Sequence, residues 1–576
     1  MKKNKILIIV IFLCFSSICS KAQNTVSLNE MTREAVHLST NSKVFLVGET
    51  LYYNFFCLLN DNKNASLISK IGYIELVGDN EEILFKHKLN LDKGIGYGDY
   101  FIPTEIKTGQ YKLVAYTKWI HDTTASAAYI GNVYILNPYL QNQNNEDSES
   151  VNEIQISESK NDGFNEEANS IQIEINSNIV NSRSLVSIDL KSSFEDLYFG
   201  NYSLSVRKTA SIEIQDKTVE NNIKIKWKND FNMLPELRGE IISGTIKSKE
   251  KDSLISNIIV SLSIPGKNYV FKNVKTDQFG KFKFNLYENY KTSDVLIQIV
   301  DEQKTNYKII LDDFNFIDYS NLDFTKIKIN QNLEDWLVKQ SIYNQVENAY
   351  YNSKKDSVLI ERPPNLFYGK ASIEYVLDDY KRFPTLKETF IEVIQAGAIR
   401  NSKEDFKFKV YDIGDDKYGH FINYSSLVLF DGIMIQDKDV IMDYAVKNIE
   451  SINLVNGTYF YGPSIFHGII DIKTKQEDFK LPDNGSDIVT FNLESPLSHK
   501  MYYSPNYSEN SNDLKRIPDY RSQLLWLPSL KLDSNLKTIE FYTSDIEGGF
   551  EIVLEGFTLA GKHVVSKHYF EVKNPR

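Results

Sequence analysis

Cysteine is nearly absent from this sequence. Three occur in 576 residues: Cys14, Cys19 and Cys57. The first two lie in an N-terminal apolar stretch, so only Cys57 is left beyond it, and an intramolecular disulfide is excluded. Cys57 sits in the strand-like run Tyr52-Tyr53-Asn54-Phe55-Phe56-Cys57-Leu58, where it reads as a buried structural thiol, with a reactive thiol as the alternative. Histidine is also scarce. His37, His87, His121, His420, His467, His499, His563 and His568 are scattered, and no HExxH motif gathers them, so the sequence gives no metal site. His563 and His568 read as surface residues at the end of a strand pattern. GxSxG and P-loop motifs are lacking too. Positive charge is in deficit, with a net charge of −12. That opposes nucleic acid and anionic lipid as partners. Beyond the N-terminus no apolar stretch reaches the ~18 residues of a membrane-spanning helix.

What is present begins at the N-terminus. Lys2, Lys3 and Lys5 precede an unbroken apolar run of ten residues, Ile6 to Phe15. Ser20 and Ala22 supply small residues at the −3 and −1 positions of a cleavage site. This pattern predicts a secretory signal peptide over 1–22. Its removal takes four lysines and no acid, which carries the charge from −12 to −16. Tyr (35) and Phe (33) are abundant, which favours half-buried β-surfaces. The expected fold class is mostly β and multidomain: tandem Ig-like sandwiches plus one small α+β domain.

Residues 23–139 alternate short apolar runs with glycine-marked turns, as a sandwich does. Val44-Phe45-Leu46-Val47-Gly48-Glu49-Thr50-Leu51-Tyr52 opens the pattern. Lys93-Gly94-Ile95-Gly96-Tyr97-Gly98 and Thr108-Gly109-Gln110-Tyr111-Lys112-Leu113-Val114 follow. Together they resemble a macroglobulin-type domain. Residues 140–168 are rich in Gln, Asn, Ser and Glu and read as a disordered acidic linker. Residues 169–232 resume period-two alternation (Ile171, Ile173, Ile175; Val186, Ile188, Leu190; Tyr202, Leu204, Val206) and predict a second small sandwich.

Leu234 to Gly244 and Thr276-Asp277-Gln278-Phe279-Gly280-Lys281-Phe282-Lys283-Phe284 resemble the carboxypeptidase regulatory-like, transthyretin-type sandwich, placed over 233–330. Asp277 and Gly280 predict a hairpin turn there, with Phe282 and Phe284 pointing into the core. In that family the domain is an accessory to a peptidase that lies elsewhere. Over 331–364, Val338, Ile342, Val346 and Ala349 fall on one face and predict a helical connector, ended by Pro363-Pro364.

Residues 365–477 combine several signals. Thr385 and Glu388 form a capping-box pattern. Leu427-Val428-Leu429-Phe430-Asp431-Gly432-Ile433, Ile449 to Val455, Tyr461-Gly462 and Gly468-Ile469-Ile470-Asp471-Ile472 then follow in order. They resemble the plug domain of TonB-dependent outer-membrane receptors, although Pro463 and the bulky Phe466-His467 stand where plugs carry small residues. A plugged barrel needs about 22 strands, and only 101 residues follow Lys475. The plug-like domain is therefore expected to stand alone or to be presented to a separate barrel. Residues 478–576 predict a final Ig-like sandwich, with Thr538 to Thr543 and Gly549 to Gly556 paired around Asp545-Ile546-Glu547-Gly548. The whole combination resembles secreted envelope proteins of Bacteroidota.

No catalytic constellation emerges, and no cofactor is expected. The Cys-Gly-Glu-Gln thioester of protease-trapping macroglobulins is missing. A non-covalent inhibitor would need a bait loop, for which 140–168, with Lys160 its only basic residue, is the sole candidate. Asp378-Asp379 reads as a solvated pair and Asp431-Gly432 as a turn. The candidate partner contact is Tyr459-Phe460-Tyr461, because an extended segment must turn one of the three outward. The expectation is a non-catalytic binding or scaffold protein, exported to the periplasm or outer membrane and peripheral to it. Its partner would be an envelope protein, an outer-membrane β-barrel being one candidate type. The alternative is an accessory subunit of a TonB-dependent complex.

Overall fold

The architecture comes from a computed structural model. It describes residues 33–574 apart from 62, 121–127, 141–152, 158–170, 192–199, 210–212, 215–225, 228–233, 251–253, 291–293, 313–316, 330–332, 360–364, 402–405, 412–423, 483–484 and 509–513. The expected signal peptide, His121, His420, Lys160 and Pro363-Pro364 lie outside the described residues. The chain is mostly β, in many small sheets. No described helix is long and apolar enough to cross a membrane.

The first sandwich packs three strands (Glu34–Thr40, Thr50–Leu59, Ile95–Phe101) on five (Val44–Leu46, Tyr129–Leu136, Gly109–Tyr116, Ile71–Val77, Ile83–Asn90). The strand Thr50–Leu59 is buried on both faces, which explains its run of apolar residues. Tyr53, Phe55 and Cys57 face the sandwich core. Phe56 and Leu58 turn the other way and meet Phe557 of a later module.

That later module overturns the sequence partition. Residues 169–232 and 478–576 do not form two sandwiches; most of their strands combine into one. Leu185–Lys191 pairs antiparallel with Leu536–Tyr542. Gly200–Lys208 lies between Gln523–Leu532 and Gly548–Thr558. Val186, Ile188, Leu190, Tyr202, Leu204 and Val206 share one core with Phe541, Phe550, Ile552 and Leu554. Alternation identified the strands correctly, but it carries no information about which strand pairs with which. The hairpin expected around Asp545 is also absent. Leu536–Tyr542 and Gly548–Thr558 belong to opposite sheets, so the chain crosses between layers there.

The middle sandwich packs Lys281–Leu286, Glu240–Ser248 and Tyr307–Leu311 against Val270–Lys275, Ile259–Ile264, Asp294–Val300 and, from far along the chain, Ile488–Asn492. Phe282 and Phe284 are buried as expected. Asp277 does make a turn, its carboxylate accepting from Phe279 and Lys281 N–H at 2.8 and 2.9 Å. The strands it joins lie in different sheets, so the turn is an arch and not a hairpin.

Within 140–168, expected to be a structureless linker, Glu153–Ser157 is a strand. It pairs in parallel with Lys326–Ile329 and antiparallel with Glu213–Ile214. Its Ile-Gln-Ile alternation was masked by the polar composition around it. The rest of the segment beyond Leu140 lies outside the described residues.

The α+β module builds a five-stranded sheet in the order Ile373–Val376, Ile449–Tyr461, Ser464–Thr474, Leu427–Phe430, Ile433–Met434. The helix Leu386–Glu392 covers it, with Thr385 accepting from Glu388 N–H at 3.3 Å as its cap. At Asp431-Gly432 both φ angles are positive, and a Cβ on Gly432 would stand 2.2 Å from the Cβ of Tyr269 in the middle sandwich. Only glycine permits that approach.

The connector helix runs Glu334–Ala349, and a 3-10 turn at Tyr351–Ser353 follows it well before the prolines. Its expected apolar face is not its buried face. Val338 and Ile342 are both 53% exposed. The helix instead buries Gln340, Ser341 and Asn344, while Trp336 and Leu337 pack on Val44, Leu46, Tyr134 and Leu136. Asn344, Glu347 and Asn348 of this helix line a polar cleft.

Candidate functional site: a cleft where the modules meet

The cleft has a volume of about 560 Å³. Glu49, Tyr52, Asp99 and Phe101 line it from the first sandwich, Arg207 and Arg521 from the composite sandwich, and Asn344 and Glu347 from the connector helix. Lys354, Asp356, Lys500 and Tyr503 close it. The wall is built from paired charges, some local and some reaching across module boundaries. Arg207 meets Glu49 at 3.0 Å, and Lys500 meets Asp99 at 2.8 Å. Arg521 grips Asp519 through Nε and Nη2, each at 2.8 Å. Lys354 reaches Glu347 at 2.7 Å and Asp519 at 3.5 Å. Two chain-distant backbone N–H groups add to this: Tyr520 donates to Glu347 and Tyr503 to Asp356, both at 2.9 Å.

Burial pushes the Asp519 carboxyl up, but Arg521 and Lys354 outweigh it and hold the group at about 2. Burial wins at Glu347 and Asp356, whose carboxyls both rise. Tyr343 stacks on Tyr520 at 4.9 Å, and Tyr52 stands edge-on to Tyr502 at 4.9 Å. Phe101 is 50% exposed in the wall. The cleft thus offers paired charges and aromatic faces. This arrangement suits holding a ligand segment better than transferring a proton, because each of these carboxylates is already committed to a partner.

The structure separates the three residues predicted as a partner contact. Phe460 faces outward and is 57% exposed. Tyr459 turns in and donates to the Phe367 carbonyl at 2.7 Å. Tyr461 stacks on Phe271 at 5.8 Å and donates to its carbonyl. With Asn273 Nδ2 donating to Ser464 at 3.1 Å, Tyr461 pins the hairpin tip to the middle sandwich. Two of the three therefore serve an internal interface.

The other residues considered from sequence find structural places. Cys57 is buried, and its thiol is pushed well up by burial and by Glu34. Asp378 pairs at the surface with Arg382 and Lys475. Asp431 accepts from Thr474 N–H at 2.7 Å, from its hydroxyl at 2.6 Å and from Phe479 N–H at 3.2 Å. His563 lies at the surface as expected, and with His37 and Glu555 it forms a group that could hold a metal ion. Sequence reasoning missed it because His37 and Glu555 are 518 positions apart.

No family model matches the chain, and no curated protein matches it. Among solved structures it resembles Escherichia coli alpha-2-macroglobulin activated by porcine elastase, at 8% identity and a TM-score of 0.23, over 94% of this chain and 44% of that one. Salmonella alpha-2-macroglobulin reacted with methylamine gives the same identity and TM-score, over 94% and 40%. The chain spans less than half the length of these proteins, and the fold description rests on its own sheets.

Proposed function

We propose that this chain is a non-catalytic binding scaffold of the cell envelope, which presents the junction cleft and the outer face of its plug-like hairpin to protein partners. The cleft carries the reading. Segments far apart in sequence converge there, and their charges are paired across modules, so its shape is set before any ligand arrives. Exposed Phe460 favours a second contact on the plug-like module, the one a separate outer-membrane barrel would meet. If that contact carries the binding, the protein is an accessory of a TonB-dependent complex.

The test is affinity capture from native envelopes with the tagged full chain, beside two point variants. Phe101→Glu alters the cleft wall and Phe460→Asp alters the hairpin face. Point variants are preferable to deleting 365–477, because that module is pinned to the middle sandwich. A partner lost with Phe101→Glu assigns the cleft. A barrel protein lost with Phe460→Asp assigns the accessory role. Capture of no envelope protein by the unaltered chain overturns the scaffold reading.

A further inference from the structure

We propose that His37, Glu555 and His563 form a three-ligand site for a divalent transition metal of the zinc class, with water completing the coordination. The site is independent of the docking role.

The three side chains come from two modules. His37 stands on Glu34–Thr40 of the first sandwich. Glu555 and His563 lie on the neighbouring strands Gly548–Thr558 and His563–Lys573 of the composite sandwich. In that ladder His563 faces Phe557, two residues from Glu555, so the two are diagonal neighbours on one face. Both imidazoles aim Nε2 at the same carboxylate oxygen, Oε1 of Glu555, from 2.8 Å (His37) and 3.2 Å (His563). Tetrahedral zinc with bonds of about 2.0–2.1 Å sets neighbouring ligand atoms about 3.3 Å apart. A shift of a few tenths of an ångström would open that space.

The chemistry of the donors agrees. Two imidazoles and one carboxylate are the ligands that borderline divalent ions prefer, and three protein ligands leave a position for water. Among the described residues both ion-pair partners of Glu555 are histidines. Arginine is the usual residue where an interface carboxylate is tied for structure alone. Phe557, Tyr129 and Phe56 surround His37 at 5.3, 5.9 and 6.2 Å, which screens the inner side from water. The His563 side chain is 41% exposed and leaves the outer side open. A metal held here would clamp the first sandwich to the composite one, so binding would also stabilise the fold.

The test uses the EDTA-dialysed full chain, titrated with Co²⁺ and followed by visible absorption, with thermal melts in Zn²⁺ and in EDTA. The expected result is one equivalent of Co²⁺ with a four- or five-coordinate spectrum, and a melting temperature raised by Zn²⁺. His563→Gln keeps a hydrogen bond to Glu555 but cannot replace the imidazole ligand. It should lose the spectrum and the Zn²⁺ effect while its circular dichroism stays unchanged. His568→Ala should leave the binding intact. Absence of stoichiometric Co²⁺ binding overturns the proposal. So does a spectrum that persists in both His563→Gln and His37→Ala.

Discussion

At the scale of single residues, the buried carboxylates give the most direct tests. Asp471 is fully buried in the α+β sheet and accepts from the Tyr368 hydroxyl at 2.6 Å. Burial raises its carboxyl to about 6, against the opposing pull of Tyr368 and Lys473. An aspartate in the unfolded chain titrates near 3.9. Between those values the folded protein binds a proton that the unfolded chain has released. Stability contributed at this site therefore falls as pH rises from about 4 to about 6, and is level above that. The difference is roughly 3 kcal/mol, at about 1.4 kcal/mol per unit. Asp471→Asn removes the titration. Urea unfolding at pH 4 and pH 7 should show the variant gaining on the unaltered chain by about that amount at the higher pH. An equal difference at both pH values would mean that Asp471 titrates normally. Asp471 was visible in the sequence only as a residue of a strand. Neither its burial nor Tyr368 and Tyr269 beside it could be inferred from Ile470-Asp471-Ile472.

At the scale of elements, the connector helix shows what periodicity captures and what it omits. Helix and position were legible from Val338, Ile342, Val346 and Ala349. The buried face was not, because that rule assumes an apolar neighbour, and the neighbour here is a polar cleft. Lysine at Val338 or Ile342 should therefore change stability by no more than about 0.5 kcal/mol, as at other surface sites. Thermal or urea melts of the two variants check this. A loss of about 2 kcal/mol or more in either would show that the predicted face is buried after all. Strand alternation behaved in the same way. It found Val186, Ile188 and Leu190 as core residues, and it could not find Phe541 as their partner. Sheet pairing over more than 300 residues leaves no local trace, and the same holds for His37 and Glu555.

At the scale of the whole molecule, the modules are interlocked. Between the first and middle sandwiches, Lys118 meets Glu236 at 2.7 Å and Lys88 meets Glu240 at 2.6 Å, all four buried. Glu236→Ala would leave Lys118 without this carboxylate. Breaking a buried pair in this way costs about 3–5 kcal/mol, and the loss should appear as a lower urea midpoint. A midpoint within error of the unaltered chain would show that the interface is wet.

The composite sandwich leads to the strongest expectation at this scale. A chain ended at residue 477 retains every strand of the first sandwich. It loses Gln523–Leu532 and Gly548–Thr558, the two neighbours that hold Gly200–Lys208 in its sheet. It also loses Leu536–Tyr542, the partner of Leu185–Lys191. Leu204 and Val206 would then lack their cross-strand core neighbours Leu554 and Ile552. A strand without ladder or core partners cannot protect its amides. Hydrogen exchange on the truncated chain should find 200–208 unprotected, with Thr50–Leu59 and Gly109–Tyr116 still slow. Retained protection over 200–208 would instead restore the two separate sandwiches that alternation alone suggests. The domain order along the chain would then match the domains in space.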